Sequence, residues 1–407
     1  MTKDFIELFC LQGLKITGTE LIGEKMIIHC RPKQKGIVCP SCQKKIKTIH
    51  KYLKPQRIKH MFWQGNLIEL SLTKRVFFCW QCKKKDLPWL FLEQSPLVPK
   101  SKRYSLVYAD QIIKGLGSTT FKTQQELAEA SFQTVKRILT ERIDPFIGLW
   151  PAEEIVVSIG LDCHSFSGIK MLPTVTDITN HRLITILPND KSLTVKQFLH
   201  NIPPEKKALI EEVCIDMDTH YLKAIKEELP KARIVVDFFH VVQDANWRIS
   251  EVRTIIQKVY KVQLPKALFE KPKESLKLNE RAELNNIFQA YPELGELWKV
   301  KEKIRTIHKI PSTILAKISY DALIRHMRIS PHSSVKAWAK TLSRWNEEIL
   351  QYFERHTTNG YTEGVNNKLK VIKRLSYGFR NIDNYIRKAM LSFITIGLLL
   401  SPLYHHS

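Results

Sequence analysis

The sequence predicts an α/β protein: a mixed β-sheet, a long all-helical segment after it, and a small metal-binding module with a helix-turn-helix before it. Three observations lead to this prediction. Two Cys-x-x-Cys pairs lie near the N-terminus, short β-branched runs in the middle each meet an aspartate, and helical periodicity extends from about residue 241 to 356. A chain of 407 residues is long enough for two or more such domains.

The composition indicates a folded protein with a polyanionic partner. Lys and Arg number 64 against 40 Asp and Glu, so the formal net charge is +24. This favours nucleic acid as the partner, although lysines scattered over a basic surface are the alternative. The start, "MTKDFIELFC", lacks an apolar signal segment, and "MLSFITIGLLL" near the end is too short for a membrane helix. We therefore expect a cytoplasmic protein without membrane contact, and a buried core helix for the second stretch.

Two cysteine pairs predict the metal-binding module. They are "CPSC" and "CWQC", with the ligands Cys39, Cys42, Cys79 and Cys82. Their two-residue spacing lets both thiolates of a pair reach one tetrahedral zinc ion. The alternating stretch "NLIELSLTKRVFF" predicts strands that bring the second pair under the first, which makes a zinc ribbon. Unrelated free cysteines are the alternative, and His29, Cys30 and His50 are possible substitute ligands.

The stretch "TQQELAEASFQTVKRILTERI" predicts two short helices that meet near Ala130 and Ser131. The inward-facing residues would be Leu127, Ala128, Val135 and Ile138. The exposed face of the second helix, with which a helix-turn-helix reads a DNA groove, would carry Gln133, Thr134, Lys136 and Arg137. A helical hairpin without DNA contact has a similar pattern and is the alternative.

The middle of the chain contains strand-like runs that meet aspartates. "IVVSIGLD" ends at Asp162, "EEVCIDMD" passes through Asp216 and Asp218, and the run in "ARIVVDFFH" ends at Asp237, with His240 after it. Between the first two, "KMLPTVTDITNHRLITILPN" forms two more runs around a turn. The order strand, strand, strand, helix, strand, helix, strand predicts antiparallel strands first and then parallel strands joined by helices.

Aspartates at the ends of neighbouring strands lie close together even when they are far apart in sequence, as Asp162 and Asp216 are. Two such carboxylates repel each other, and a bound cation allows both to stay ionised. Oxygen ligands favour Mg²⁺ or Mn²⁺ over zinc. The alternative is that each aspartate is a helix N-cap or a turn residue.

From Val241 to about His356 the apolar residues recur at helical intervals in two stripes, which indicate packing. The first stripe is Ala245, Ile249, Val252, Ile256 and Val259. The second stripe is Trp338, Leu342, Trp345, Ile349 and Phe353. The sequence "HTTNG" then predicts a turn.

After this turn, "TNGYTEGVNNKLKVIKR" predicts a helix with Val365, Leu369 and Ile372 on one face. The other face would carry Glu363, Asn366, Asn367, Lys370 and Arg374. One interpretation is a surface helix in which Glu363 pairs with Asn367 and Lys370. The other is that the apolar face packs on the sheet, so that Glu363 joins Asp162 and Asp216 in a site for two metal ions about 4 Å apart. The cations beside it, which would follow a phosphate backbone, are Lys368, Lys370, Lys373 and Arg374.

Taken together, these motifs resemble the DDE transposases of the ISL3 insertion-sequence family over nearly the whole chain. The resemblance is carried by "SIGLD", "CIDMD", "ARIVVDFFHVV", "SVKAWAKTLSRWNEEIL", "TNGYTEGVNNKLKVIKR" and "YGFRN", with the two cysteine pairs. It implies a ribonuclease-H-like catalytic core interrupted by the helical segment, and the catalytic, Mg²⁺-binding residues Asp162, Asp216 and Glu363. It also implies that Asp237 and His240 support the metal ligands or handle DNA; plain fold support is the alternative for these two.

The predicted domains follow from the motifs and the resemblance. They are a zinc-ribbon DNA-binding domain at 1–98, a helix-turn-helix at 99–150, the first part of the core at 151–240, the helical insertion at 241–356, and the C-terminal core helices with the catalytic Glu at 357–407.

The resemblance implies a bacterial, nucleoid-associated transposase. It would bind the terminal inverted repeats of its own element and then cut and join DNA strands with the help of a metal ion. It would act as a homodimer or larger assembly on double-stranded element ends and target DNA. Two alternatives stay open: a catalytically inactive DNA-binding regulator, and a metal-dependent nuclease without strand transfer.

Overall fold

The computed structural model describes residues 3–151 and 154–400. It divides into two compact units, one comprising Met1–Phe146 with Lys373–Ser407 and the other Ile147–Ile372. The predicted boundary at "LWPAEEI" includes residues 152 and 153, and the outer limits of the first and last predicted domains are residues 1 and 407; all four lie outside the described residues. The domain limits drawn from the sequence stay predictions.

The first unit begins with a four-stranded sheet and the cysteine pairs. Its elements are α1 (Lys3–Leu8), β1 (Leu14–Ile22), β2 (Lys25–Pro32), β3 (Ile37–Val38), β4 (Lys45–Ile46), β5 (Ile49–Tyr52), β6 (Gln56–Trp63), β7 (Asn66–Leu72), β8 (Arg75–Phe78), α2 (Trp80–Lys84) and β9 (Leu90–Leu92). The strand order is β1-β2-β7-β6 in the larger sheet and β5-β8-β9 in a smaller one. The predicted strands in "NLIELSLTKRVFF" are present as β7 and β8, in different sheets, and the second cysteine pair that follows them meets the first. As an inner strand, β7 buries both of its faces in the larger sheet.

Three helices follow: α3 (Leu106–Ser118), α4 (Phe121–Leu127) and α5 (Phe132–Ile143). Helices α4 and α5 meet beside Ala130 and Ser131, as predicted, and Ser131 caps α5 by accepting the N–H of Thr134. The prediction that Leu127 faces inward is wrong, because its side chain is 59% exposed. The buried side of α4 passes through Gln124 and Ala128, one turn apart, which turns Leu127 away.

The second unit contains a five-stranded sheet and its crossover helices. These elements are β10 (Ser158–Ser167), β11 (Lys170–Asp177), β12 (Arg182–Ile186), α6 (Ser192–His200), α7 (Pro204–Lys207), β13 (Glu212–Ile215), α8 (Thr219–Glu228) and β14 (Arg233–Val236). The order is β12-β11-β10-β13-β14, antiparallel on the β12 side of β10 and parallel on the β14 side. The predicted mixed sheet is confirmed. The prediction that the first strand ends at Asp162 is wrong, since β10 continues to a hairpin turn at Gly168.

The regular elements between β14 and the turn at "HTTNG" are helices. They are α9 (Phe238–Tyr260), α10 (Lys266–Glu270), α11 (Leu278–Ala290), α12 (Pro292–His308), α13 (Thr313–Arg328), α14 (Ser333–Arg344), α15 (Asn346–Leu350) and α16 (Tyr352–Arg355), with a 3₁₀ turn at Lys273–Ser275. Both predicted apolar stripes join one core with the sheet, except Val259. That side chain is 65% exposed; it lies in the last turn of α9, directly before the helix ends at the left-handed Lys261.

The last helices are α17 (Gly360–Leu375), α18 (Ile382–Leu391) and α19 (Ile396–Leu399). The prediction of one buried helix at "MLSFITIGLLL" is wrong, because α18 stops at Leu391 and the exposed Ile396 and Leu398 belong to a separate turn of helix. Among the described residues, no helix combines the length and the apolar character needed to cross a membrane.

Gly160 of β10 marks the place where α17 approaches the sheet. The hydroxyl groups of Thr176 on β11 and Thr362 on α17 are 2.6 Å apart beside it. A Cβ atom at Gly160 would lie 2.7 Å from Thr176 Oγ1 and closer still to Thr362 Oγ1 and Asn359 Oδ1. The absence of a side chain at this position therefore allows the helix to lie directly on the strand.

We expect Gly160→Ala to lower the free energy of unfolding by roughly 1 to 3 kcal/mol, because the added methyl group pushes α17 off the sheet. Urea denaturation measures the change. The matched control is Gly364→Ala in α17, where an added Cβ meets no atom within 4 Å. Alanine there should be neutral or stabilising by up to about 1 kcal/mol. Equal effects of the two substitutions would contradict the close approach at Gly160.

Candidate functional site

Three aspartates lie at one level across the sheet. Leu161 of β10 is paired with Ile215 of β13, and β14 continues the same register. The next residue on each of the three strands is an aspartate: Asp162, Asp216 and Asp237. Asp216 and Asp237 directly follow their strands, as predicted, whereas Asp162 reaches the same level from within the longer β10. The fold therefore brings together carboxylates that are far apart in sequence.

Asp162 is buried and held by hydrogen bonds to both of its oxygens. Oδ1 accepts the backbone N–H of Cys163 at 2.6 Å, and Oδ2 accepts Asn366 Nδ2 at 2.9 Å. The Asn366 carbonyl in turn accepts the hydroxyl of Thr174 at 2.6 Å, and that hydroxyl lies 2.9 Å from His164 Nδ1. This chain of buried polar groups joins α17 to β10 and β11 and fixes the orientation of the Asp162 carboxylate.

Asn366 is a site residue that sequence reasoning missed. It was expected on the exposed face of α17, which is wrong, because the residue is 3% exposed. Thr362, Asn366 and Leu369 follow one another at helical intervals, so the buried face includes two polar residues as well as the apolar stripe. The spacing of Thr362 and Asn366, one turn apart beside Val365, was the signal in the sequence.

Asp216 carries an oxygen that lacks a partner. Its Oδ1 atom is buried and accepts no hydrogen bond from any described residue. Burial is the main reason that the pKa of Asp216 is raised to about 6; the charge of His240 opposes the rise, and the charges of Asp162 and Asp218 add to it. An orphaned carboxylate oxygen beside a second carboxylate is a donor set that suits a hard divalent cation such as Mg²⁺ or Mn²⁺.

Glu363 lies in the first turn of α17, next to the buried Thr362 and one turn from Asn366. Its side chain is exposed, and within the described part of the chain it forms no hydrogen bond or ion pair. Lys370 donates to Asn367 at 3.3 Å instead of pairing with Glu363, so the structure does not contain the predicted surface pairing.

The structure brings Asp162 and Asp216 into electrostatic contact but leaves Glu363 outside a tight cluster. A compact metal site needs three or more Cys, His, Asp or Glu side chains whose ligand atoms lie within 4.8 Å of one another. Among the described residues, the only such group consists of cysteines. The three carboxylates therefore do not form so compact a group in the structure.

Asp237 and His240 lie beside this site at the start of α9. Asp237 is buried, caps α9 by accepting the N–H of Phe239 at 3.3 Å, and accepts the backbone N–H of Asn359. Burial raises the pKa of Asp237, and His240 opposes that rise as it does for Asp216. Asp237 thus supports the fold, and His240 contributes charge to the surroundings of both Asp216 and Asp237.

The four cysteines of the predicted zinc ribbon do form a compact cluster. Its members are Cys39, Cys42, Cys79 and Cys82. The Sγ atoms of Cys39 and Cys82 are 3.5 Å apart, and those of Cys42 and Cys79 are 3.7 Å apart. Although burial raises the pKa of Cys39, hydrogen bonds from the backbone N–H groups of Cys42 and Ser41 and from Cys82 lower it to about 7. Four converging sulfur atoms, one of them readily deprotonated, suit a tetrahedral zinc ion.

The possible substitute ligands do not belong to this cluster. His29 pairs with Glu20 at 3.2 Å, and Cys30 is buried in the core of the four-stranded sheet. The ring of His50 packs near that of Phe78, with 6.4 Å between the ring centroids. The cysteine pairs alone supply the ligand set, as their spacing predicted.

The residues predicted to contact DNA lie on two helices, α5 and α17. On α5, Gln133 and Arg137 are exposed and Thr134 and Lys136 are half-buried. The Arg137 guanidinium lies 5.4 Å from the centre of the Tyr104 ring. On α17, the exposed members are Lys368, Lys370 and Arg374, and Lys373 is half-buried.

Comparison with known proteins connects this geometry to an activity. The ISL3 family model, described as a transposase, matches residues 159–389, more than half of the chain, and the match includes β10, β13 and α17. A curated relative, the transposase for insertion sequence element IS1001 from Bordetella parapertussis, is 22% identical over 385 residues. That alignment covers 91% of this chain and 92% of the relative.

We expect the purified protein to contain one zinc ion per chain, and Cys82→Ser to contain none, because the substitution removes one of four thiolate ligands. Metal analysis of the dialysed proteins measures the content. The matched control is Cys10→Ser, which removes a cysteine outside the cluster and should retain the metal. Equal zinc content in both variants would contradict a site at the four cysteines.

The raised pKa of Asp216 predicts a pH-dependent effect of Asp216→Asn on metal-free protein. The pKa is about 6 in the folded state, against an ordinary value of 3.8, so ionisation of Asp216 costs folding free energy above about pH 6 and costs nothing below about pH 4. The substitution should therefore raise the free energy of unfolding by roughly 1 to 3 kcal/mol at pH 8 and leave it nearly unchanged at pH 4. Urea denaturation at both pH values measures this.

Asp218→Asn is the control for this effect. Asp218 caps α8 and pairs with His220 at 2.9 Å, so its removal should bring no gain in stability at pH 8. Added Mg²⁺ should raise the unfolding midpoint of the unsubstituted protein and of Asp218→Asn more than that of Asp216→Asn. A loss of stability in Asp216→Asn at pH 8 would contradict an uncompensated charge at this position.

Proposed function

The chain belongs to the ISL3 family of transposases, and from this premise we propose that it binds the ends of its insertion sequence and catalyses DNA strand cleavage and strand transfer. Membership in this family of DDE transposases implies a ribonuclease-H-like core. The single observation that carries the proposed chemistry is the pairing of Asp162 and Asp216 at one level of the sheet, with a buried Asp216 oxygen that has no protein partner among the described residues.

Asp162 and Asp216, joined by Glu363, are the residues that would hold Mg²⁺ or Mn²⁺. When bound, such an ion would activate an attacking oxygen and stabilise the leaving oxygen of a phosphodiester. Glu363 is free of other partners in the described chain and lies one turn from Asn366, which binds Asp162. A long, exposed side chain can move toward the two aspartates when DNA and metal are present.

The proposed reaction has two steps and no covalent enzyme intermediate. In the first, a water oxygen bonds to the phosphorus at the element end, the bond from phosphorus to the 3′ oxygen breaks, and that oxygen takes up a proton. In the second, the freed 3′-hydroxyl bonds to a phosphorus of the target DNA, loses its proton, and displaces the target's own 3′ oxygen. The task of the protein in both steps is to align the reacting groups.

Other residues of the chain have positioning roles in this proposal. Asn366 holds the Asp162 carboxylate in one orientation through its hydrogen bond at 2.9 Å. His240, beside Asp216, balances negative charge at the site when it is protonated. The exposed cations Lys368, Lys370 and Arg374 follow Glu363 along α17 and can neutralise the phosphates of a bound strand.

We further propose that α5 and the zinc-binding module recognise the terminal inverted repeats. The exposed Gln133 and Arg137 of α5 carry the hydrogen-bonding groups that read base edges. A homodimer or larger assembly would hold two element ends together, and the cytoplasm and nucleoid of a bacterium would be its location. The net charge of +24 supports DNA as the partner.

The proposed chemistry predicts that Glu363→Gln lowers the rate of strand cleavage by roughly 100-fold or more while DNA binding is retained, because the amide keeps the shape of the side chain but not its charge. The assay incubates full-length protein and Mg²⁺ with a labelled duplex that carries the element end, and separates nicked and joined products on a gel. Glu354→Gln, which neutralises an exposed carboxylate of α16, is the control and should cut and join normally.

The products distinguish the alternatives. Cleavage without joined product in the unsubstituted protein would replace the proposal with a metal-dependent nuclease. Binding without cleavage would replace it with an inactive DNA-binding regulator. Equal cleavage by Glu363→Gln and the unsubstituted protein would remove Glu363 from the site.

A further inference from the structure

A groove beside the cysteine cluster has a strongly basic lining. We call it the ribbon groove; it lies within the first unit and has a volume of about 1230 Å³. Its walls are the segment after β2, the strands β4 and β9 near the cysteine pairs, and residues 94–103. Six cations line it: Lys33, Lys45, Lys74, Lys100, Lys102 and Arg103. The described residues of its lining include no aspartate or glutamate. The groove therefore concentrates positive charge in a concave surface, where the field is strongest.

Most of these cations have no anionic partner in the protein. The Lys102 ammonium pairs with Glu141. The side chains of the other five form no ion pair or hydrogen bond with the described residues. Six cations in a groove of this volume exceed what one small anion requires. Their number and spread instead suit a chain of phosphates.

Lys74 is the most unusual of the five, because it is only 8% exposed and still lacks a partner among the described residues. The nearby carboxylate of Glu93 is already engaged by Arg75, whose Nε and backbone N–H donate to Oε2 at 3.0 and 3.1 Å and whose Nη2 binds Oε1. Burial lowers the pKa of Lys74, and the charge of Glu93 opposes this only in part. An unpaired ammonium on a largely buried side chain is incompletely solvated, and a ligand anion in the groove would compensate it.

We propose that the ribbon groove binds the phosphate backbone of double-stranded DNA, with the Lys74 ammonium on one phosphate and the flanking cations on its neighbours. The inference rests on the proposed function and specifies how the zinc-binding module takes part in it: the groove holds the DNA backbone while α5 reads the sequence of the terminal repeats. Contacts to phosphates fix the position of a protein on the duplex without reading its sequence. The groove thus binds element ends and unrelated DNA alike.

Lys74→Met tests the proposal, because methionine keeps the length and the apolar stem of the side chain and removes its charge. Full-length protein is titrated with a labelled duplex carrying the element end, and with one of mixed sequence, over a series of KCl concentrations. We expect roughly tenfold weaker binding to both duplexes. The slope of log K against log salt should fall in magnitude by about 0.9, as for the loss of one phosphate contact. The thermal midpoint should stay the same or rise, because the substitution removes an unpaired charge from a largely buried side chain.

The neighbouring lysines provide a matched pair of controls. Lys33→Gln removes an exposed cation of the groove and should weaken binding to both duplexes, whereas Lys35→Gln removes an exposed cation two residues away that does not line it. Unchanged affinity and salt slope in Lys74→Met would overturn the inference, and so would an equal loss in Lys35→Gln. If the unsubstituted protein still binds, cuts and joins DNA, that failure leaves the proposed function intact. Absence of DNA binding by the unsubstituted protein would overturn both.

Discussion

The hydrogen bonds between α17 and the sheet are the interaction on which the candidate site depends. Asn366 donates to Asp162 across 204 positions of sequence, and the hydroxyl groups of Thr362 and Thr176 meet across 186. These bonds form only because Gly160 lets the helix lie on β10. They are buried, so their loss would leave unpaired polar groups in the interior. The contact between α17 and the sheet therefore orients the carboxylate of Asp162. It also determines where on the sheet α17, the helix of Glu363, begins.

The two proposed ligand sites share a physical property. Several buried charges elsewhere in the described chain pair with an opposite charge: Glu93 pairs with Arg75, Asp110 with Arg142, and Glu212 with Arg233. Asp216 has a buried oxygen without a hydrogen-bond donor, and the ammonium of the largely buried Lys74 side chain has no anion among the described residues. We propose a cation for the first and a phosphate for the second. An uncompensated charge lowers the stability of the unliganded protein. Binding of an oppositely charged ligand removes this cost, so the cost contributes to the free energy of binding at each position.

The zinc-binding cluster and the ribbon groove are parts of one arrangement. Strand β8 ends directly before Cys79 of the second cysteine pair and pairs with β9, and β9 also lines the groove. Lys74 immediately precedes β8, and Arg75 at its start fixes Glu93 just after β9. A metal ion that holds the two knuckles together would therefore also hold one wall of the groove in place. The small module has few core residues of its own, so this constraint supports its fold.

The sequence by itself determined the mixed sheet, the succession of strands and helices along the chain, the clustering of the four cysteines and the aspartates that follow β13 and β14. These features are encoded locally, by period-two runs, by Cys-x-x-Cys spacing and by acids that end strands. It did not determine that β10 continues past Asp162, that β7 joins another sheet, or that Asn366 is buried. Those depend on which strand or helix faces which, and on polar side chains that are buried because they find partners far away in the chain. The sequence also did not determine that Lys74 is unpaired. Only the tertiary structure shows that the nearby carboxylate of Glu93 already forms an ion pair with Arg75.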